Sequence, residues 1–198
     1  MDINTSTLLT LFRLISSPLV LPFLIVYTAP LQNFYIDCFV AGVFLCLSFT
    51  DFLDGYVARK YKQVTVIGAM LDPIADKFLS YVAFISLVAA GKLYFYWAII
   101  LIGREFFIMS LRMAALQHTF SIPVMFLGKV KTFVQTLFIA MLIMQPYHLI
   151  GSTYVWDISI HGMLCIVLFI SLGSAYIYTR NFITLYSALH EKSQKVSL

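Results

Sequence analysis

Apolar residues gather along this chain into six stretches, at 8–28, 33–54, 68–90, 94–117, 129–146 and 155–178. A helix rising 1.5 Å per residue needs about 20 residues to cross roughly 30 Å of hydrocarbon, and each stretch is of that order. The breaks between them carry helix-interrupting residues: Ala29-Pro30, Gly55, Gly91-Lys92, the segment around Pro123, Gln145-Pro146 and Gly151-Ser152. Irregular backbone leaves polar groups that lipid cannot satisfy, so such breaks belong outside the hydrocarbon or against a cavity. The pattern predicts an all-α polytopic membrane protein with six transmembrane helices. It forms one domain over residues 1–198, without an internal repeat of solenoid type.

Composition agrees with lipid as the solvent. Of 198 residues, 61% are hydrophobic and 11% charged, against about a quarter charged in soluble domains. Six spans put both termini on one side, with the 55–67 and 118–128 connections. Eleven of the thirteen Lys and Arg sort to that side, Lys92 alone to the other, and Arg104 falls near mid-span. Positive loops stay in the cytoplasm, so the termini are expected there, in the inner membrane of the cell. The net charge of +4 then faces anionic lipid or substrate, and nothing suggests nucleic acid. The opening Met1-Asp2-Ile3-Asn4 lacks a basic region and Arg13 interrupts the first apolar run, unlike a removable signal. Cys38, Cys46 and Cys165 lie in apolar segments without metal-type spacing and read as small buried hydrophobes. Asp37 and Asp157, at outer span ends, read as solvated, and the polar tail from Glu191 as mobile.

Candidate chemistry is concentrated in 26 positions. Four of the nine acidic residues are Asp51, Asp54, Asp72 and Asp76. The first pair is i, i+3 at the end of the second span; the second is i, i+4 near the start of the third, so each pair shares a helix face. A hairpin through 55–67 brings the pairs to similar depth at the cytoplasmic side. Four close carboxylates need countercharge, and burial at a membrane boundary raises the cost. Pairing with Arg59, Lys60 and Lys62 would be worth at most about 1 kcal/mol per surface pair. Hard divalent cations neutralise the cluster better, and all-oxygen ligands suit Mg²⁺, Mn²⁺ or Ca²⁺ over zinc. Two metals about 4 Å apart form a clamp for displacement at phosphorus.

Residues 51–76 read Asp51-x2-Asp54-Gly55-x2-Ala58-Arg59-x8-Gly68-x3-Asp72-x3-Asp76. This string resembles the full signature of the CDP-alcohol phosphotransferases. That resemblance implies six transmembrane helices, two bound divalent cations (Mg or Mn) and a homodimer. It also implies transfer of a phosphate-bearing group from a CDP-linked donor to an alcohol, with release of CMP. Carried over by residue, Asp51, Asp54, Asp72 and Asp76 resemble the metal ligands. Asp76 also resembles the base that takes the acceptor proton, and Gly55, Ala58, Arg59 and Gly68 the lining of the CDP pocket. Arg59 has the fork geometry for a phosphate.

Asn4-x5-Thr10-x2-Arg13-x4-Pro18, Gly103-Arg104-Glu105, Leu111-Arg112 and Leu127-Gly128-Lys129-x-Lys131-Thr132-x2-Gln135 are similar to the bacterial branch of that family whose donor is CDP-diacylglycerol and whose acceptor is glycerol 3-phosphate. A dianionic acceptor needs cations beyond those serving the donor, so Thr10, Arg13, Arg104, Arg112, Lys129 and Lys131 are its candidate ligands, against a plain role as membrane-face anchors. Ser6, Thr10, Arg13 and Ser17 make one polar stripe turned to the bundle, and Glu105, seven residues before Arg112, is placed to orient a cation. Met113 departs from the acid often found there in that branch, which bears on the acceptor. Serine or inositol phosphate as acceptor is the rival within the family. A divalent-cation transporter is the rival outside it, but transport gives no reason for Gly55, Ala58, Arg59 and Gly68. The histidines share no spacing, and Tyr94, Tyr96, Trp97, Tyr147, Tyr154 and Trp156 suit an outer interfacial belt.

Overall fold

The computed structural model describes residues 5–60, 66–117, 126–145 and 153–196, with side chains over 17–50, 77–115, 117, 128–145 and 155–187. Its helices are α1 (Thr5–Thr28), α2 (Phe34–Lys60), α3 (Val66–Ala89), α4 (Phe95–Gln117), α5 (Phe126–Ile143) and α6 (Thr153–Val196), with a 3-10 turn at Ala29–Leu31 and no strand among the described residues. Six helices stand where six apolar runs predicted them. Pro18 and Pro22 lie inside α1; each removes a backbone bond of the helix. Gln32 (φ 51) and Gly91 (φ 72) take the left-handed conformation. At Gly91 this closes α3: the Gly91 amide donates to Val88 O at 3.0 Å and that of Lys92 to Leu87 O at 2.9 Å, the paired bonds of a Schellman cap.

Two helices outrun their predicted ends. α2 continues through Gly55 to Lys60, so Gly55, Ala58 and Arg59 are helical instead of forming a break. One glycine costs a helix only about 1 kcal/mol. α6 continues from the expected stop near residue 178 to Val196, so the tail from Glu191 is helical as far as that residue. No proline follows Tyr178, and Ala188, Leu189, Glu191, Lys192, Gln194 and Lys195 are good helix formers. At 44 residues α6 is about 66 Å long, twice the hydrocarbon thickness.

The chain divides into two compact units, residues 1–98 with 136–160, and 99–135 with 161–198. In the first, α1 packs chiefly on α3 and also on α2, and α2 touches α3. Leu21 and Ile25 of α1, Val40 and Phe44 of α2, Leu79, Ala83, Phe84 and Leu87 of α3, and Phe138 and Leu142 of α5 are buried here. At one end, Asp37 in the first turn of α2 is paired with Lys92 at 3.6 Å, and Lys92 Nζ donates to Ile143 O at the end of α5 at 2.5 Å. Asp37 is 3% exposed, which corrects its reading as solvated: a buried ammonium on the neighbouring turn demands it. Burial pushes the Lys92 ammonium below its usual range, with Asp37 pulling it back. Removing one partner of such a pair costs about 3–5 kcal/mol. Lys92→Met is expected to lower the thermal midpoint of the detergent-solubilised protein markedly, and Lys92→Met with Asp37→Asn to regain much of the loss. A melt of Lys92→Met that overlays the parent would contradict a tie between α2, α3 and α5.

In the second unit, α6 buries Leu164, Val167, Ser171, Ser174 and Tyr178, and α4 buries Leu101, Glu105, Ile108 and Ala115. These alternating steps of three and four are the seam spacing of helices packed side by side. Large apolar side chains point outward throughout, among them Phe23, Tyr35, Phe39, Ile99, Phe106, Phe133, Phe169 and Tyr176. Val155–Ser187 of α6 is long and apolar enough to cross a membrane, and most of its side chains are not buried; Ser17–Leu31, Phe34–Thr50 and Lys77–Ala89 are shorter apolar stretches. The three cysteines are free, but Cys46 and Cys165 are exposed on helix faces and Cys38 half-buried, so two of them are not the buried hydrophobes expected.

Candidate functional site

The four aspartates stand on two helices that touch. Asp51 and Asp54 lie in the last three turns of α2 and Asp72 and Asp76 in the first three of α3, and the helices are in contact. Five residues, 61–65, separate them, so their ends are no more than about 20 Å apart. The side chains of Asp51, Asp54, Asp72 and Asp76, of Gly55, Ala58, Arg59 and Gly68, and of Thr10 and Arg13 on α1 fall outside the described residues. No group of three His, Cys, Asp or Glu gathers among the described side chains, which exclude those aspartates. Ser17, the described member of the polar stripe of α1, is 2% exposed, and its hydroxyl has no partner there.

The second unit holds a buried polar cluster. Arg104 Nη1 donates to Glu105 Oε1 at 2.9 Å, its Nε to Ser171 O at 3.0 Å, and its Nη2 to Ser174 Oγ at 2.5 Å. Lys131 of α5 is paired with the same Glu105 oxygen. Both Glu105 and Lys131 are 4% exposed. Glu105 does orient cations, but the ones it holds are Arg104 and Lys131 rather than Arg112. Buried beside one another, one acid and two bases satisfy the rule that interior charges are paired and hydrogen-bonded. Gln135 is buried with its Oε1 unpartnered, while Thr132 is exposed and donates to Gly128 O at 3.1 Å.

Arg112 and Lys129 differ from that pair. Lys129 is exposed, and no described carboxylate pairs with either. Arg112 Nη2 donates to the hydroxyl of Tyr178 at 3.0 Å, and its Cζ lies 5.3 Å from the centre of the Tyr178 ring. The hydroxyl also approaches α5: a Cβ on Gly128 would sit 3.8 Å from it. Lys129 and Lys131 are two apart, a separation that puts helix side chains on opposite faces, and one is exposed while the other is buried. Tyr178 and Ser174 carry no motif in the sequence. The signal for them was the three-four spacing of Leu164, Val167, Ser171, Ser174 and Tyr178, which sets both on the buried face of α6.

Among protein families, the one described as CDP-alcohol phosphatidyltransferase matches residues 3–184. The CDP-diacylglycerol--glycerol-3-phosphate 3-phosphatidyltransferase of Escherichia coli (strain K12) is 38% identical over 154 residues, 74% of this chain and 80% of that protein. The protein of the same name from Sodalis glossinidius (strain morsitans) is 35% identical over 158 residues, 77% of this chain and 83% of that protein.

Proposed function

The chain belongs to the CDP-alcohol phosphatidyltransferase family, and from that premise we propose that it transfers the phosphatidyl group of CDP-diacylglycerol to glycerol 3-phosphate. The products are phosphatidylglycerophosphate and CMP, in phospholipid synthesis. The observation that carries the chemistry is the complete aspartate string on α2 and α3, two helices in contact. The acceptor follows from relatives at 35–38% identity whose names specify it.

The donor set fits hard divalent cations: Asp51, Asp54, Asp72 and Asp76 offer carboxylate oxygen alone, with neither histidine nor cysteine in the string. Two Mg²⁺ or Mn²⁺ held there would supply positive charge to the diphosphate and to the phosphorus under attack. Asp76 takes the proton of the acceptor hydroxyl. The freed oxygen bonds to the lipid-side phosphorus, and the bond to CMP breaks. Gly55, Ala58 and Gly68 leave room for the nucleotide, and Arg59 donates to its phosphates. For the acceptor phosphate we assign Thr10, Arg13, Arg112 and Lys129. Arg104 and Lys131, both paired with Glu105, instead hold α4, α5 and α6 in register.

The same reading makes residues 1–198 one domain of six spans in the inner membrane, with termini and active site at the cytoplasmic face, the donor's acyl chains in lipid, and a homodimer as the working form. The apolar exterior and the Val155–Ser187 stretch support it, as do eleven of thirteen Lys and Arg on one side. The protein purified in detergent, given CDP-diacylglycerol, Mg²⁺ or Mn²⁺ and one labelled acceptor at a time, is expected to move label into lipid from glycerol 3-phosphate, and to stop on chelation. Label entering lipid from serine or inositol phosphate instead would overturn the acceptor, and activity surviving chelation would overturn the metal set.

A further inference from the structure

Resting on the assignment of Arg112 to the acceptor phosphate, we infer that Tyr178 is the positioning residue that holds this guanidinium ready for a phosphate without neutralising it. Arg112 is half-buried on α4, and its hydrogen bond and its ring contact both go to Tyr178. A loose arginine side chain loses rotamer entropy on binding, a cost that prior fixing removes. Tyr178 is well placed to fix it. It is 2% exposed and packs with Ile108 and Ala115 in a cluster flanked by Leu111, Ala175 and Phe182, so its ring does not move independently of the seam.

The chemistry of the partner matters as much as its rigidity. The same unit uses a carboxylate, Glu105, to hold Arg104 and Lys131. A carboxylate on Arg112 would cancel its charge and repel a dianion. A phenol accepts one N–H bond and offers its ring face to the cation, while the positive charge and the other donors of the guanidinium stay available for a phosphate. The hydroxyl also lies against Gly128 at the start of α5, and the next residue, Lys129, is exposed. Tyr178 thereby joins the arginine of α4 to the segment of α5 that carries Lys129, a second cation without a carboxylate partner among the described residues. An acceptor lacking a phosphate gains nothing from this arrangement, so Tyr178 contributes to acceptor choice.

The test compares Tyr178→Phe, Arg112→Gln and the double variant in the purified full chain, with steady-state constants for both substrates and a thermal melt. Tyr178→Phe keeps the ring and removes the hydroxyl, so folding is preserved. It is expected to raise KM for glycerol 3-phosphate about tenfold, as loss of one hydrogen bond to a charged group does, with kcat and KM for CDP-diacylglycerol within about twofold. Arg112→Gln is expected to raise the same KM more, and Tyr178→Phe to add nothing in the Arg112→Gln background. If Arg112→Gln leaves KM for glycerol 3-phosphate unchanged, the assignment of Arg112 falls and the inference with it. If Arg112→Gln raises it and Tyr178→Phe does not, the assignment stands and the inference is overturned. A Tyr178→Phe variant that lowers only the melting midpoint, or whose effect adds to that of Arg112→Gln, likewise overturns it.

Discussion

Asp76→Asn is expected to abolish transfer, lowering kcat at least a thousandfold, while CDP-diacylglycerol still binds within a fewfold of the parent affinity. General-base catalysis alone is worth about 10²–10⁴, and the amide has no basic oxygen to take the hydroxyl proton. On the proposed metal set, the same change would also remove one of four carboxylate ligands, weakening metal binding and adding to the loss. Shape is kept, since Asn and Asp are nearly isosteric and Asp76 lies well inside α3, ten residues after Val66. Incorporation of labelled glycerol 3-phosphate into lipid measures the rate; retention of the CDP-lipid on immobilised protein measures binding. A variant turning over near the parent rate would remove Asp76 from the base role. Loss of binding in step with rate would reduce it to a metal ligand.

Glu105→Leu should be nearly as damaging, by another route. Glu105 is the carboxylate between Arg104 and Lys131, and all three side chains are at most 8% exposed. Deleting one partner of a buried charge set leaves the rest uncompensated and costs about 3–5 kcal/mol, a large share of the 5–15 kcal/mol that typical domains possess. The variant is expected to fold poorly or to melt well below the parent in detergent. Glu105→Leu with Lys131→Met, which removes one charge of each sign, is expected to recover part of the loss. A Glu105→Leu protein that melts with the parent would show that the cluster does not hold α4, α5 and α6 together.

Helices were readable where the physics is local. Runs of about 20 apolar residues mark helices from within the run itself, and the starts of α2, α4 and α6 fall within two residues of the expected ones. Their far ends were harder to read. Gly55 and the polar tail read as stops, yet a weak former continues a helix unless something stabilises the alternative. The aspartate string was legible because both pairs are intrahelical, at i, i+3 and i, i+4.

Pairing across helices was another matter. Asp37 looked like a solvated end residue because its counter-ion, Lys92, lies 55 positions away. Lys129 and Lys131 looked like one basic patch, though spacing of two already sends helix side chains to opposite faces. Tyr178 was indistinguishable from the eleven other tyrosines.

By itself, then, the sequence of this protein determined the six helices found among the described residues, the helix positions that carry the aspartates and the family to which the chain belongs, because these depend on runs of apolar residues and on the 3.6-residue turn. Only the tertiary structure decided which cations already face a carboxylate: Lys92 with Asp37, and Arg104 and Lys131 with Glu105, with Arg112 set on a neutral phenol. The physical reason is range. Apart from the adjacent Arg104 and Glu105, these contacts are settled by which helix seams meet and at what depth, and they link residues from 26 to 66 positions apart.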